Sequence, residues 1–171
     1  MSREAFIDLV EKVLAAPKTL AGIGMPQRWQ PNRNPAELCI KLPIEIDGTQ
    51  QGHKIVVVFE PTSHDLKFSI LIVICDLCVT RLDFDPSGGH TNSLLAFKDG
   101  LQAIVSGKHF HRWSINRPFV RANGHLEELE NAEPLPEGIR TFDAALRWFC
   151  DACAIALPHD HLIELPPRSL I

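Results

Sequence analysis

Tyrosine is absent from the chain. That removes the phenol from the usual list of general acids and leaves nine Phe and three Trp as the aromatic material. An excess of positive charge is missing too: 17 Lys and Arg stand against 21 Asp and Glu, a net charge of −4. No global basic field therefore draws the protein to nucleic acid. Long apolar tracts are also lacking. The longest, Phe68 to Val79, contains Asp76 and is too short to cross a bilayer. The N-terminal MSREAFIDLVEKVLAA carries acids inside its apolar pattern, so it reads as an amphipathic helix and not as a secretory signal. We expect a cytosolic protein of bacterial type, without membrane contact. Cysteines occur only at 39, 75, 78, 150 and 153, an odd count that argues against a disulfide framework.

What is present has ordinary globular composition, 45% hydrophobic and 22% charged. Its length suits one domain, 1–171, able to bury a core without a disulfide or metal. Phe6, Leu9, Val10, Val13 and Leu14 follow helical spacing, predicting a helix over 3–16 capped by Ser2 and ended by Pro17. Residues 17–36 read as a loop. Alternation then predicts strands over 37–47 and 53–60 around an Asp47–Gly48 turn, with Pro43 near an edge. The stretch 67–84 reads as one long central strand, apolar on both faces at first. At its end Arg81 and Asp83 share one face, Leu82 and Phe84 the other. Residues 93–105 fit either a helix or two short strands. Residues 109–115 alternate as a strand, 122–140 form an acidic loop, and Thr141 caps a helix to Leu157. The fold class expected is α+β: a single antiparallel sheet of three to five strands with the N- and C-terminal helices packed on one face.

Two C-x-x-C pairs, Cys75/Cys78 and Cys150/Cys153, invite a zinc reading. The first lies within the predicted strand, where i and i+3 face opposite ways, and the second on the buried face of a helix. We expect core cysteines, with no metal and no cofactor. The histidines are more informative. His109 and His111 are two apart on a strand, hence on one face, and His90 sits in a Gly-rich turn after the central strand. Three histidines can bind a metal, two can share acid–base work near neutral pH, or all can decorate a polar strand face. His159 and His161 read as solvated tail residues. From Lys108 to Arg121 the cations Lys108, Arg112, Arg117 and Arg121 occur without an acid, interleaved with Phe110, Trp113 and Phe119. Such a stripe suits a phosphate backbone with stacked bases, or a protein partner with an acidic patch. The plainer reading is a segment balanced by the glutamates of the acidic loop.

The order R-L-D-F (81–84), H-T-N (90–92) and G-K-H-F-H (107–111) resembles an uncharacterised group of small bacterial proteins with an R-x-D strand end, a Gly-flanked H-x-N and an H-x-H strand. It is similar, more loosely, to toxins of the TumE type from toxin–antitoxin pairs. The resemblance covers about residues 80–121 and implies a small prokaryotic accessory protein, a toxin acting on RNA. Two functions follow as expectations. One is a metal-independent ribonuclease using His90, His109 and His111, with Arg81 clamping phosphate, Asp83 orienting an imidazole, and Trp113 stacking a base. The other is a non-catalytic binding protein, an inhibitor of a host complex acting through charged patches. RNA or a protein is the expected partner, and self-association stays open.

Overall fold

The computed structural model describes residues 1–167, without the side chains at 97 and 99. Helix α1 (Arg3–Ala15) begins where Ser2 accepts a hydrogen bond from Ala5 N–H, and it buries Phe6, Val10 and Val13. Two short strands follow, β1 (Thr19–Leu20) and β2 (Gln30–Pro31), in the stretch expected to be a loop. Then come β3 (Leu38–Ile46), β4 (Thr49–Phe59), β5 (Phe68–Ile74) and β6 (Leu77–Phe84). The hairpin of β7 (Gly89–Thr91) and β8 (Ile104–Ser106) stands apart, with a 3-10 turn at Leu94–Asp99 between its arms. Segment 93–105 is thus neither a full helix nor a hairpin around Lys98–Gly100. The chain ends through β9 (His109–His111), the short α2 (Trp113–Asn116), β10 (Glu133–Pro134) and α3 (Phe142–Ala152).

The result is α+β, with an eight-stranded antiparallel sheet in the order β1-β3-β4-β5-β6-β9-β10 and β2 also on β3. The sheet is larger than the three to five strands expected. Its short outer strands carry too few residues to show alternation, so they leave no signal in the sequence.

The long strand predicted over 67–84 is in fact two. Cys75 and Asp76, both at positive φ (50° and 60°), make the two-residue turn between β5 and β6. The apolar run hides this turn, because neither residue is glycine or asparagine. The expected turn at Asp47–Gly48 forms, with both residues at positive φ. The strand predicted over 109–115 stops at His111 and passes into α2, which overturns the placement of Trp113 on the histidine face. Trp113 is buried instead, edge-on to Phe6. The last helix ends at Ala152, before Pro158, where Ala154 takes φ 53°.

Cross-strand register runs in straight rows. Val57, Ile70, Leu82 and Phe110 form one row, and Phe59, Phe68 and Phe84 another. These face the core, and Phe142 of α3 meets Phe68 while Phe149 and Trp148 meet Phe110. A bulge opposite Ile72 places both Val79 and Thr80 on that side. Beyond it the alternation resumes with Arg81 and Asp83 turned to the other face. Cys39, Cys150 and Cys153 are buried, and burial pushes the thiols of Cys150 and Cys153 up to about 12.

Lys18, only 2% exposed, tethers the end of α1 to the body. Its Nζ donates to the carbonyls of Val13, Leu14 and Ala16 at 2.8, 2.8 and 2.6 Å, groups that a helix end otherwise leaves unpaired. Its backbone pairs with Ala154 and Ala156 beyond α3. Lys18→Met should lower unfolding free energy by about 1–3 kcal/mol in urea denaturation, the cost of stranding buried acceptors. An unchanged midpoint would show that the cap contributes nothing.

Candidate functional site

Antiparallel pairing of β6 with β9 sets Arg81 opposite His111 and Asp83 opposite His109. An R-x-D strand and an H-x-H strand, each with period two, thereby put four side chains in a square on one face. The neighbouring strand β5 extends both rows, Ser69 beside Asp83 and Leu71 beside Arg81. His90 arrives from β7 above. Its ring centroid lies 5.6 Å from that of His109 and 4.6 Å from that of His111, which are themselves 5.1 Å apart. All five residues singled out as catalytic candidates are brought together.

Hydrogen bonds fix the imidazoles. Each ring has one nitrogen on a backbone carbonyl: His109 Nδ1 on Gly107 at 2.7 Å, His111 Nδ1 on Asn131 at 3.0 Å, and His90 Nε2 on Glu130 at 3.0 Å. A carbonyl only accepts, so those nitrogens carry the proton. The other nitrogen of His109 and His111 faces Asp83 Oδ2, at 3.3 and 3.2 Å. Asp83 also accepts from Arg81 Nε at 2.7 Å and from Ser69 Oγ at 2.6 Å. Arg81 Nη2 stands 3.1 Å from His111 Nε2 and donates to its lone pair.

Burial works against an ionised Asp83, yet the bond from His109, the charge of Arg81 and the Ser69 hydroxyl hold its carboxyl well below the usual range. Burial also opposes charge on His109, but Asp83 and the Gly107 carbonyl outweigh it and raise the pKa. His111 is fully buried and there desolvation wins, lowering the pKa despite Asp83. Two rings beside one carboxylate oxygen thus differ, with His109 the more basic of the two.

The site opens into a cleft of about 220 Å³ lined by Ser69, Arg81, Asp83, His90 and His109, with Lys67 and Asp85 at its rim. His111 lies behind it. Gly107, at φ 72°, turns the chain from β8 into β9 and supplies the carbonyl that fixes His109.

Three asparagines that the sequence reading did not place in the site hold its roof. Asn116, fully buried, donates to the Asn131 carbonyl at 2.8 Å and accepts from Asn131 N–H at 2.9 Å. Asn92 does the same for Ala132, at 2.9 and 2.7 Å. The Asn131 side chain accepts from Ser93 and donates to Ile115. These bonds stand in for strand pairing and pin residues 130–132, whose carbonyls orient His90 and His111. Asn92 was visible inside H-T-N; nothing in the local pattern marks Asn116 or Asn131.

The cationic stripe is dispersed. Arg112 pairs with Glu133 at 3.1 Å, Arg117 with Glu11 and Arg121 with Glu127. Lys108 donates to the Ile139 carbonyl and lies over the Phe84 ring. Trp113 lines a separate cavity of about 310 Å³ with Thr80 and Phe110, on the core side of the sheet. Trp113 is therefore corrected as a base-stacking residue, and the stripe is largely neutralised by acids, as its plainer reading held. His161, read as a solvated tail residue, is bonded to Asp143 at 3.1 Å with its side chain 4% exposed.

Among the described residues, His90, His109 and His111 also form a group whose ligand atoms all lie within 4.8 Å of one another. Comparison with known protein families, with curated proteins and with solved structures yields no match.

Asn116→Ala should cost about 2–3 kcal/mol in thermal or urea unfolding, because it strands buried groups of Arg112 and Asn131. A loss under about 0.5 kcal/mol, the scale of an ordinary surface change, would show that the asparagine bonds do not hold the roof.

Proposed function

We propose that the Arg81–Asp83–His90–His109–His111 centre cleaves a phosphodiester, with RNA as the substrate class. The observation that carries this reading is the cleft itself: two imidazoles in opposite hydrogen-bonding states stand beside a guanidinium at its wall. His90 donates through Nε2 to Glu130, so its Nδ1 lone pair is free to take a proton from a ribose 2′-hydroxyl. His109 Nε2–H, held against Asp83, serves as the acid for the leaving oxygen. Arg81 offsets the charge that develops on phosphate. His111 lies behind the cleft wall and acts as a positioning residue, accepting from Arg81 and holding it in place. That division differs from the sequence expectation, which paired His109 with His111. The resemblance to TumE-type toxins of prokaryotes supports the same substrate class by analogy alone.

A non-catalytic binding protein is the second reading. Leu94, Leu95 and Ile104, 86%, 50% and 62% exposed, sit on the arm that carries His90 and offer an apolar contact for a protein partner.

Incubated with a single-stranded RNA, the purified protein should yield 2′,3′-cyclic phosphate ends and leave the matching DNA intact. His90→Ala and His109→Ala should each lose about 10²–10⁴ in rate while melting near wild type. Equal cleavage of DNA, or full activity in either variant, would defeat the assignment. A stoichiometric protein partner with no turnover would favour the binding reading.

A further inference from the structure

We propose that His90, His109 and His111 take up one divalent transition-metal ion of the zinc class, with Asp83 beside it, and that occupancy switches the centre off. The second clause rests on the cleavage reading; the first does not.

Four features carry the metal site. Three imidazoles from two separate elements offer ligand atoms within 4.8 Å of one another. Each directs its other nitrogen outward to a main-chain carbonyl, the arrangement that fixes tautomer and ring orientation in histidine metal sites. Asp83 Oδ2 lies 3.3 and 3.2 Å from the Nε2 atoms of His109 and His111. Ligands about 2.0–2.1 Å from a tetrahedral ion are separated by roughly 3.3–3.4 Å, which the two Asp83–imidazole spacings match, while the three imidazole nitrogens, within 4.8 Å of one another, draw together around the ion on binding. Imidazole with one carboxylate suits zinc, cobalt or nickel and not magnesium or calcium. The cleft gives a path, since His90 and His109 both line it.

Arg81 opposes the ion. Its Nη2 occupies the His111 lone pair at 3.1 Å and it brings a positive charge to the same place. Metal entry has to displace that contact. The ion would also claim the His90 lone pair and the His109 Nε2 that proton transfer uses. One set of nitrogens cannot serve both tasks at once.

The test uses the full-length protein stripped with chelator and titrated with Zn²⁺ by calorimetry and with Co²⁺ by visible absorption. The expected result is one equivalent bound per chain, with a tetrahedral Co²⁺ spectrum. His90→Ala and His109→Ala should each lose that equivalent, and Arg81→Ala should bind more tightly than wild type. His90 is partly exposed, so its variant keeps the test independent of folding. No uptake, or uptake unchanged in both histidine variants, overturns the site, as does weaker binding by Arg81→Ala. In parallel, RNA cleavage should fall on Zn²⁺ loading and return with chelator. Cleavage that rises with Zn²⁺ overturns the switch. One-equivalent uptake with no cleavage in either state supports the site and removes the ribonuclease reading.

Discussion

A carboxylate taken out of water must be compensated on nearly every lone pair, and Asp83 imposes that requirement on its surroundings. Guanidinium, hydroxyl and the His109 imidazole converge on it from three strands. Remove any of these and a buried charge loses a partner, which is far more costly than an exposed pair of the same length. The straight rows of the sheet are what allow it. Ser69, Asp83 and His109 lie side by side because the register across β5, β6 and β9 is unbroken there.

The roof follows from the same demand. His111 presents its lone pair to Arg81 only if its other nitrogen is fixed, and the Asn131 carbonyl does that. Residues 130–132 have no regular strand partner over that span, so the amides of Asn92 and Asn116 supply the pairing. Their bonds are local, buried and reciprocal, the kind that rigidify a site when every member is satisfied. The centre is thus held by two layers, strand register beneath and side-chain amides above.

Much of this was legible in the sequence where a period governs it. Spacing of two in R-x-D and H-x-H puts each pair on one face, and the helical spacing of Phe6, Val10 and Val13 marks the buried side of α1. What stayed hidden depends on tertiary context. The turn at Cys75–Asp76 has no glycine to announce it. Trp113 alternates correctly with His111 yet lies in α2, since three residues of strand are too few to enforce continuation. Asn116 and Asn131 act across fifteen positions of chain, and no local pattern encodes a partner that distant. The cations from Lys108 to Arg121 read as a surface because their acids, Glu11, Glu127 and Glu133, belong to other segments.

The bulge at Val79–Thr80 has a bearing on how such a centre withstands a change in chain length. Side-chain direction along a strand is a matter of odd and even, and the extra residue changes the parity of everything after it. Before the bulge, the odd-numbered Val79 belongs to the core; after it, the odd-numbered Arg81 and Asp83 belong to the cleft. Deleting Val79 would leave Leu77 on Ile74, Cys78 on Val73 and Thr80 on Ile72 in one regular ladder, with Arg81 and Asp83 still on the cleft face. Chemistry on one face and packing on the other are kept apart by counting alone, and the bulge adds one buried side chain, Val79, to the packing face without moving the chemistry.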